Sequence, residues 1–266
     1  MSDLKEIIGK LWECQNSIGN INKNREVYEI VDTIISHLDE GRIRVCDKFG
    51  GEWKTNDWIK KAILLYFQIE RAYNLSIGCL QYFDKILPKN LRGHKNNFRI
   101  VPPTIIRRGS FISEGVILMP SFVNIGSFVG KETMIDTWST VGSCAQIGSG
   151  VHISGGVGIG GVLEPTNAQP VIIEDGSFIG ARSEIAEGVL VGAGSVVSMG
   201  TFLGKSTKIF DRQDGNVSYG KVPSNSVLVP GCLLKDAKYG LSCAVIVKKV
   251  DGKTKSKTEL NNLLRC

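Results

Sequence analysis

Large apolar residues recur at every sixth position through the middle of the chain. From residue 105 the series reads Ile105, Phe111, Ile117, Val123, Val129, Ile135, Val141, Ile147, Ile153 and Ile159. It breaks at Leu163-Glu164-Pro165-Thr166-Asn167-Ala168-Gln169-Pro170, resumes fourteen positions on, and runs Ile173, Ile179, Ile185, Val191, Val197, Leu203 and Ile209. The fourth position after each is mostly small or β-branched, as at Ser121, Ser127, Thr133, Ser139, Ser177 and Ser183. Glycine often follows, as at Gly130, Gly142, Gly148, Gly180 and Gly192. A period of six fits neither a helix nor an ordinary strand. It suits hexads of one short flat strand plus a turn, three hexads to a triangular coil, with the large residue plugging the inside and the small one beside it. Stacked coils pair by backbone hydrogen bonds about 4.8 Å apart, which makes a parallel β-helix over residues 98–230.

The flanks follow other periods. Leu4, Ile7, Ile8, Leu11 and Trp12 mark one helical face, and Val27, Ile30, Val31, Ile34, Ile35 and Leu38 mark a second, stopped by Gly41. Ile43 to Cys46 and the segment around Trp53 flank Gly50-Gly51, a hairpin signal. Asn56 is placed to cap a third helix carrying Ile59, Ala62, Ile63 and Tyr66. Residues 1–97 therefore read as a mixed, mainly helical domain. After the repeat, 211–221 is a polar excursion, Val222 to Val227 reads as a late coil, and Cys243 to Val247 as a strand. Leu260, Leu263 and Leu264 suggest a short amphipathic helix, so 231–266 forms a closing segment over the open end of the prism, where unpaired strand edges would otherwise be exposed.

Composition narrows the class. The formal charge of +6 is mild, and the Lys-rich tail supplies much of it. Aromatic residues are not interleaved with a basic stripe, so nucleic-acid binding has no support. The seven cysteines are scattered without a CxxC pair, which argues against a disulfide framework or a zinc site and for a reducing compartment. No run approaches the roughly 20 apolar residues of a membrane span, and the charged N-terminus does not read as a signal peptide. A soluble cytoplasmic protein is expected. The glycine run Gly155 to Gly161 lacks the Lys-Ser/Thr ending of a phosphate loop and keeps the six-residue register. It reads as turns that let a coenzyme or a neighbouring backbone approach closely.

The words between the plugs are more specific than the period. Phe98-Arg99-Ile100-Val101-Pro102-Pro103, Leu118-Met119-Pro120-Ser121-Phe122-Val123-Asn124-Ile125-Gly126 and Met134-Ile135-Asp136-Thr137-Trp138 open the series. Val141 to Gly148, Gly155 to Pro165 and Ile179-Gly180-Ala181-Arg182-Ser183-Glu184 complete it. Together they resemble the tetrahydrodipicolinate N-succinyltransferase family over nearly the whole chain, with no departure at a motif position. The resemblance implies a left-handed β-helix, a homotrimer with sites at subunit interfaces, and succinyl transfer from succinyl-CoA to tetrahydrodipicolinate in diaminopimelate and lysine synthesis. No permanently bound cofactor and no metal are implied. Substrate-binding residues fall on Arg99 and Asp136, and a second acidic residue on Glu184; Arg182 shares the Glu184 hexad.

Amine acylation needs a base near the amine, donors for the thioester oxyanion and cations for carboxylates. Asp136 suits the first role, because it places a charge where most hexads carry glycine or another small or neutral residue. Arg99 and Arg182 suit carboxylates. Glu184 follows Asp136 by 48 positions; without the eight-residue excursion, 40 remain, which is two 18-residue coils plus four. The two carboxylates are thus expected about two coils apart, near 10 Å, and over neighbouring faces, which favours convergence across a subunit cleft over a pair within one chain. His152 is the one histidine inside the repeat and an alternative base. One histidine cannot supply the three-histidine zinc site of hexapeptide carbonic anhydrases. An acetyl rather than succinyl donor, or a non-enzymatic hexad scaffold, remain the competing readings.

Overall fold

In the computed structural model, residues 2–14, 25–91, 97–235 and 238–254 are described. Three faces of short parallel strands build a prism. One face stacks Phe111–Ile112, Phe128–Val129, Gln146–Ile147, Ile172–Ile173, Leu190–Val191 and Lys221–Val222. We call it the domain face. A second, the flat face, stacks Arg99–Ile100, Ile117–Leu118, Met134–Ile135, His152–Ile153, Phe178–Ile179 and Val196–Val197. The third, the acidic face, stacks Ile105–Ile106, Phe122–Val123, Thr140–Val141, Gly158–Ile159, Glu184–Ile185 and Phe202–Leu203. Each strand buries its second residue in one continuous apolar column.

The small corner residues have a clear physical role. Buried hydroxyls need partners, and these find carbonyls one coil on: Thr133 Oγ1 donates to Gly148 O at 2.8 Å, Ser139 Oγ to Ser154 O at 2.7 Å and Ser183 Oγ to Ser198 O at 3.0 Å. The corners are thereby stitched along the axis by side chains as well as by backbone.

The six-residue register needs two corrections. In the first three hexads the inward plugs are Ile106, Ile112 and Leu118, not Ile105, Phe111 and Ile117, and Ile105 is exposed. A five-residue step from Leu118 to Val123 then sets the frame used by the later coils; both residues of these early strands are apolar, so composition hid the slip. Ile209 is buried but does not continue the domain face. Its strand, Ile209–Asp211, pairs with Tyr239–Lys249, and Val222 takes the place above Val191. Ser226–Lys235 and Tyr239–Lys249 form a long hairpin that extends the flat face at its end. Residues 211–221 hold a small hairpin to Val217–Ser218. The expected terminal helix at Leu260 to Leu264 lies outside the described residues.

Helices α1 (Ser2–Cys14), α2 (Arg25–Asp39) and α3 (Asp57–Ile69) pack together and onto the domain face, where Ile125, Cys144, Ile172 and Leu190 join their core. Helix α2 ends where Gly41 takes φ +72°, with Gly41 N–H donating to Leu38 O and Arg42 N–H to His37 O. A side chain at Gly41 would also strike the Phe111 ring at 2.6 Å, so this turn seats the domain on the prism. The hairpin Cys46–Phe49/Glu52–Thr55 forms around Gly50-Gly51 as expected. Asn56 precedes α3, but its side chain caps nothing; its amide donates instead to Arg44 O and Asp47 Oδ2. A second hairpin, Tyr73–Ile77 with Leu80–Asp84, had no turn signal beyond Gly78 and was not expected.

Candidate functional site

The corner between the flat and acidic faces gathers the charged groups. Here each coil leaves a flat-face strand and turns into the next acidic-face strand. Asp136 begins this turn directly after Ile135, with its backbone N–H on Ile153 O. Its Oδ1 accepts from Thr137 N–H at 2.6 Å and from Thr137 Oγ1 at 3.2 Å, which fixes the carboxylate as a local turn. One coil on, the same turn is Ser154-Gly155-Gly156. A Cβ on Gly155 would lie 4.0 Å from Asp136 Oδ2.

One coil further is Arg182, itself at φ +59°. Its side chain folds back over Gly156: a Cβ there would meet Arg182 Cδ and Nε at 2.8 Å and Cζ at 2.9 Å. An acid from one coil and a guanidinium from two coils on thus approach a shared floor that has no side chains. Neither enters a salt bridge among the described residues. Glu184 heads its strand on the acidic face, two coils from Asp136 as the spacing requires. Its side chain also leans back one coil. It lies over Gly158, where a Cβ would overlap the carboxylate, with Oε1 at 2.6 Å. Asp136, Arg182 and Glu184 all converge on the glycine rung 155–158, although no hydrogen bond joins the two carboxylates.

Arg99 stands two coils below Asp136 on the flat face and reaches upward, with Nη2 3.9 Å from Met119 Sδ. Met119 occupies the turn position directly below Asp136. The loop 163–170 lies elsewhere. It leaves the acidic face for the domain face, and its Ala168 carbonyl accepts from the buried Lys60 Nζ at 2.6 Å. Burial holds the Lys60 ammonium below the usual lysine range.

Two neighbours of the site had no assigned or favoured role in the sequence. Trp138, two residues after Asp136, is 67% exposed at φ +60°. His152 pairs with Met134 on the flat face and stacks on Phe178 with ring centroids 4.9 Å apart. Its Nδ1 is buried with no hydrogen-bond partner. Burial lowers its pKa, and the Asp136 charge opposes this only in part. The imidazole is therefore neutral in the fold, and it makes no hydrogen bond to Asp136. Among the described residues no cluster of three or more His, Cys, Asp or Glu is placed to hold a metal, and no helix is long and apolar enough to cross a membrane.

A polar cleft of about 370 Å³ opens at another corner, under the first hairpin. Arg44 lies 3.5 Å over the Phe128 ring centroid there and donates to Gln146 Oε1 at 3.1 Å. Glu174 accepts from Lys48 and Trp53 at 2.6 and 2.8 Å. These contacts clamp the N-terminal domain to the prism, away from the Asp136 corner.

A prism of stacked hexapeptide coils defines a hexapeptide-repeat protein. Family models agree in both halves: "Tetrahydrodipicolinate N-succinyltransferase N-terminal" matches residues 3–69, and "Hexapeptide repeat of succinyl-transferase" matches 170–205. Relatives named 2,3,4,5-tetrahydropyridine-2,6-dicarboxylate N-succinyltransferase match end to end. The Sodalis glossinidius protein is 51% identical, with 100% of this chain and 99% of that protein covered. The Cupriavidus metallidurans protein is 54% identical, with 98% of each covered. The chain belongs to the tetrahydrodipicolinate N-succinyltransferase family. A crystal structure from Campylobacter jejuni, described as a 2,3,4,5-tetrahydropyridine-2-carboxylate N-succinyltransferase, shares the fold. Its TM-score is 0.54 at 16% identity, covering 86% of this chain and 63% of that one.

Proposed function

We propose that this chain transfers the succinyl group of succinyl-CoA to the amino group of ring-opened tetrahydrodipicolinate, in diaminopimelate and lysine synthesis. The observation that supports this most is the pairing of Asp136 and Arg182 across the bare Gly155–Gly156 turn. An acceptor with an amine and carboxylates finds a base and a bidentate cation that start two coils apart and approach the same bare turn between them. Asp136 takes a proton as the amine attacks the thioester carbonyl. The tetrahedral intermediate then collapses, the C–S bond breaks, and CoA leaves as the thiol. Arg182 and Arg99 hold carboxylates. Glu184 orients the acceptor or relays its proton.

The active form on this reading is a homotrimer with its sites in clefts between prisms, where Glu184 on the acidic face of one subunit meets the Asp136 corner of another. The two-coil offset of Asp136 and Glu184, with no hydrogen bond between them, supports that arrangement. No permanently bound cofactor is required, since the acyl carrier is a cosubstrate. The free thiols Cys14, Cys46, Cys79, Cys144, Cys232 and Cys243 suit a reducing cytoplasm.

The direct test is thiol release from succinyl-CoA and from acetyl-CoA, each with and without tetrahydrodipicolinate. Acceptor-dependent release with succinyl-CoA is expected to exceed that with acetyl-CoA by at least about tenfold. Equal rates, or a preference for acetyl-CoA, refute the donor assignment. No acceptor-dependent release with either refutes the function.

A further inference from the structure

We propose that Trp138 forms one wall of the acceptor site and sets acceptor affinity, an inference that rests on the acyl-transfer reading above. Successive coils place Trp138, Gly156, Arg182 and Gly200 at one position of this corner. Their backbone N–H groups donate, in order, to Pro120, Thr137, Gly155 and Ala181 carbonyls. All four take positive φ: +60°, +67°, +59° and +69°. The turn therefore demands a left-handed residue, and glycine fills it at no steric cost in two of the four coils. A bulky side chain at positive φ is unusual and strained. Trp138 is 67% exposed, so packing within the chain covers only a minor part of it.

Strained residues persist mostly where function uses them. Arg182 illustrates this at the same position, since its side chain covers the floor beside Asp136. The indole is uncharged, so it cannot hold the acceptor's carboxylates. It stands two residues from the carboxylate proposed to hold the amine, within reach of the carbon skeleton attached to that amine. There it packs against methylenes and excludes water from the amine. On the far side of the rung, Met199 and Phe202 are 66% and 62% exposed, and Phe202 is the strand partner of Glu184 one coil on.

The test is Trp138→Gly beside Trp138→Phe. Glycine relieves the left-handed turn, so this variant should melt no lower than wild type and keep its oligomeric size. Its kcat/KM for tetrahydrodipicolinate should fall about 10- to 100-fold, while KM for succinyl-CoA stays within about twofold. Trp138→Phe should retain most of the acceptor affinity. Calorimetric binding of tetrahydrodipicolinate alone, without donor, should weaken in parallel in the glycine variant. The inference is overturned if acceptor binding and kcat/KM stay within about threefold of wild type, if the loss falls on succinyl-CoA, or if it accompanies a change in oligomeric size. Wild-type protein that binds the acceptor without transferring succinyl overturns the functional reading instead, and the binding arm still decides on Trp138. Wild-type protein that neither binds nor acylates it overturns both.

Discussion

Gly158→Ala is the most discriminating single change, because it moves one carboxylate without touching its chemistry. Gly158 sits in a strand of the acidic face between Thr140 and Glu184, and its φ lies outside the left-handed region. Alanine is therefore compatible with the backbone there, as the threonine one coil below already shows. Gly→Ala at a compatible position stabilises by about 0.4–1 kcal/mol through the unfolded state. The new methyl, however, would occupy the space of the Glu184 carboxylate, whose Oε1 lies 2.6 Å from the ideal Cβ. Ordinary contact is about 3.5 Å, so even this oxygen must retreat by about 1 Å and Oε2 by more. A misplacement of that size in a catalytic group costs about 100-fold. Initial rates of CoA thiol release should therefore fall about 100-fold in kcat/KM while the melting temperature holds or rises. Glu184→Gln should show a similar loss. The double variant should be no worse than Glu184→Gln alone, since the methyl then displaces a group that no longer contributes. Wild-type activity in Gly158→Ala, or a double variant much worse than either single one, refutes the idea that the leaning Glu184 carboxylate is functional.

Other expectations are independent of that one. Asp136→Asn keeps the Oδ1 acceptor for Thr137, so it should fold normally yet lose about 100-fold or more in turnover; activity within a few-fold of wild type removes Asp136 from the mechanism. Asp136→Asn and Glu184→Gln proteins, each nearly inactive, should recover activity after mixing and reassembly, with about one cleft in four carrying both native carboxylates. No recovery, with subunit exchange confirmed, places both groups in one chain's site. His152 is held neutral by burial, so its folded pKa lies below its unfolded value. The stability this reflects is present above the unfolded pKa of about 6.5 and is lost as pH falls through it towards the folded value. Between pH 7 and 5 the melting temperature of wild type should therefore drop more than that of His152→Phe, which keeps the stack on Phe178; parallel curves refute the assignment.

The prism was legible because its rule is local and repeated. Each hexad states its own strand, plug and corner, so one error of register at Ile105 to Ile117 did not disturb the rest. It went unseen because Ile105-Ile106, Phe111-Ile112 and Ile117-Leu118 offer apolar residues on both sides of the strand. The hairpin Tyr73–Asp84 was missed for the opposite reason: a single Gly78 and a mixed apolar pattern carry no distinctive period. The two-coil separation of Asp136 and Glu184 followed from counting alone, and the strand pairing agrees with it. What counting cannot supply is side-chain direction. Arg182 and Glu184 both lean back along the axis, and they can do so only because positions 156 and 158 lack a Cβ.

That dependence gives the glycine run a second role beyond the turns it makes. In a stacked coil, a residue's axial neighbours are set by the 18-residue repeat, so an empty position in one coil is a slot for a side chain from the next. Gly142 and Gly161 fill such slots with backbone, and a Cβ on Gly161 would strike Ser143 N at 2.5 Å. Gly156 and Gly158 fill theirs with charged side chains instead. A site drawn from the coils that carry 136, 155–158 and 182–184 therefore depends on the glycines between its charged members as much as on the members themselves. Replacing Arg182 or Glu184 removes a group, whereas filling Gly156 or Gly158 expels the same group intact. Agreement between the two kinds of variant separates a positional requirement from a merely electrostatic one: a charge acting at long range would survive a shift of 1 Å, and a carboxylate or guanidinium in direct contact with the acceptor would not.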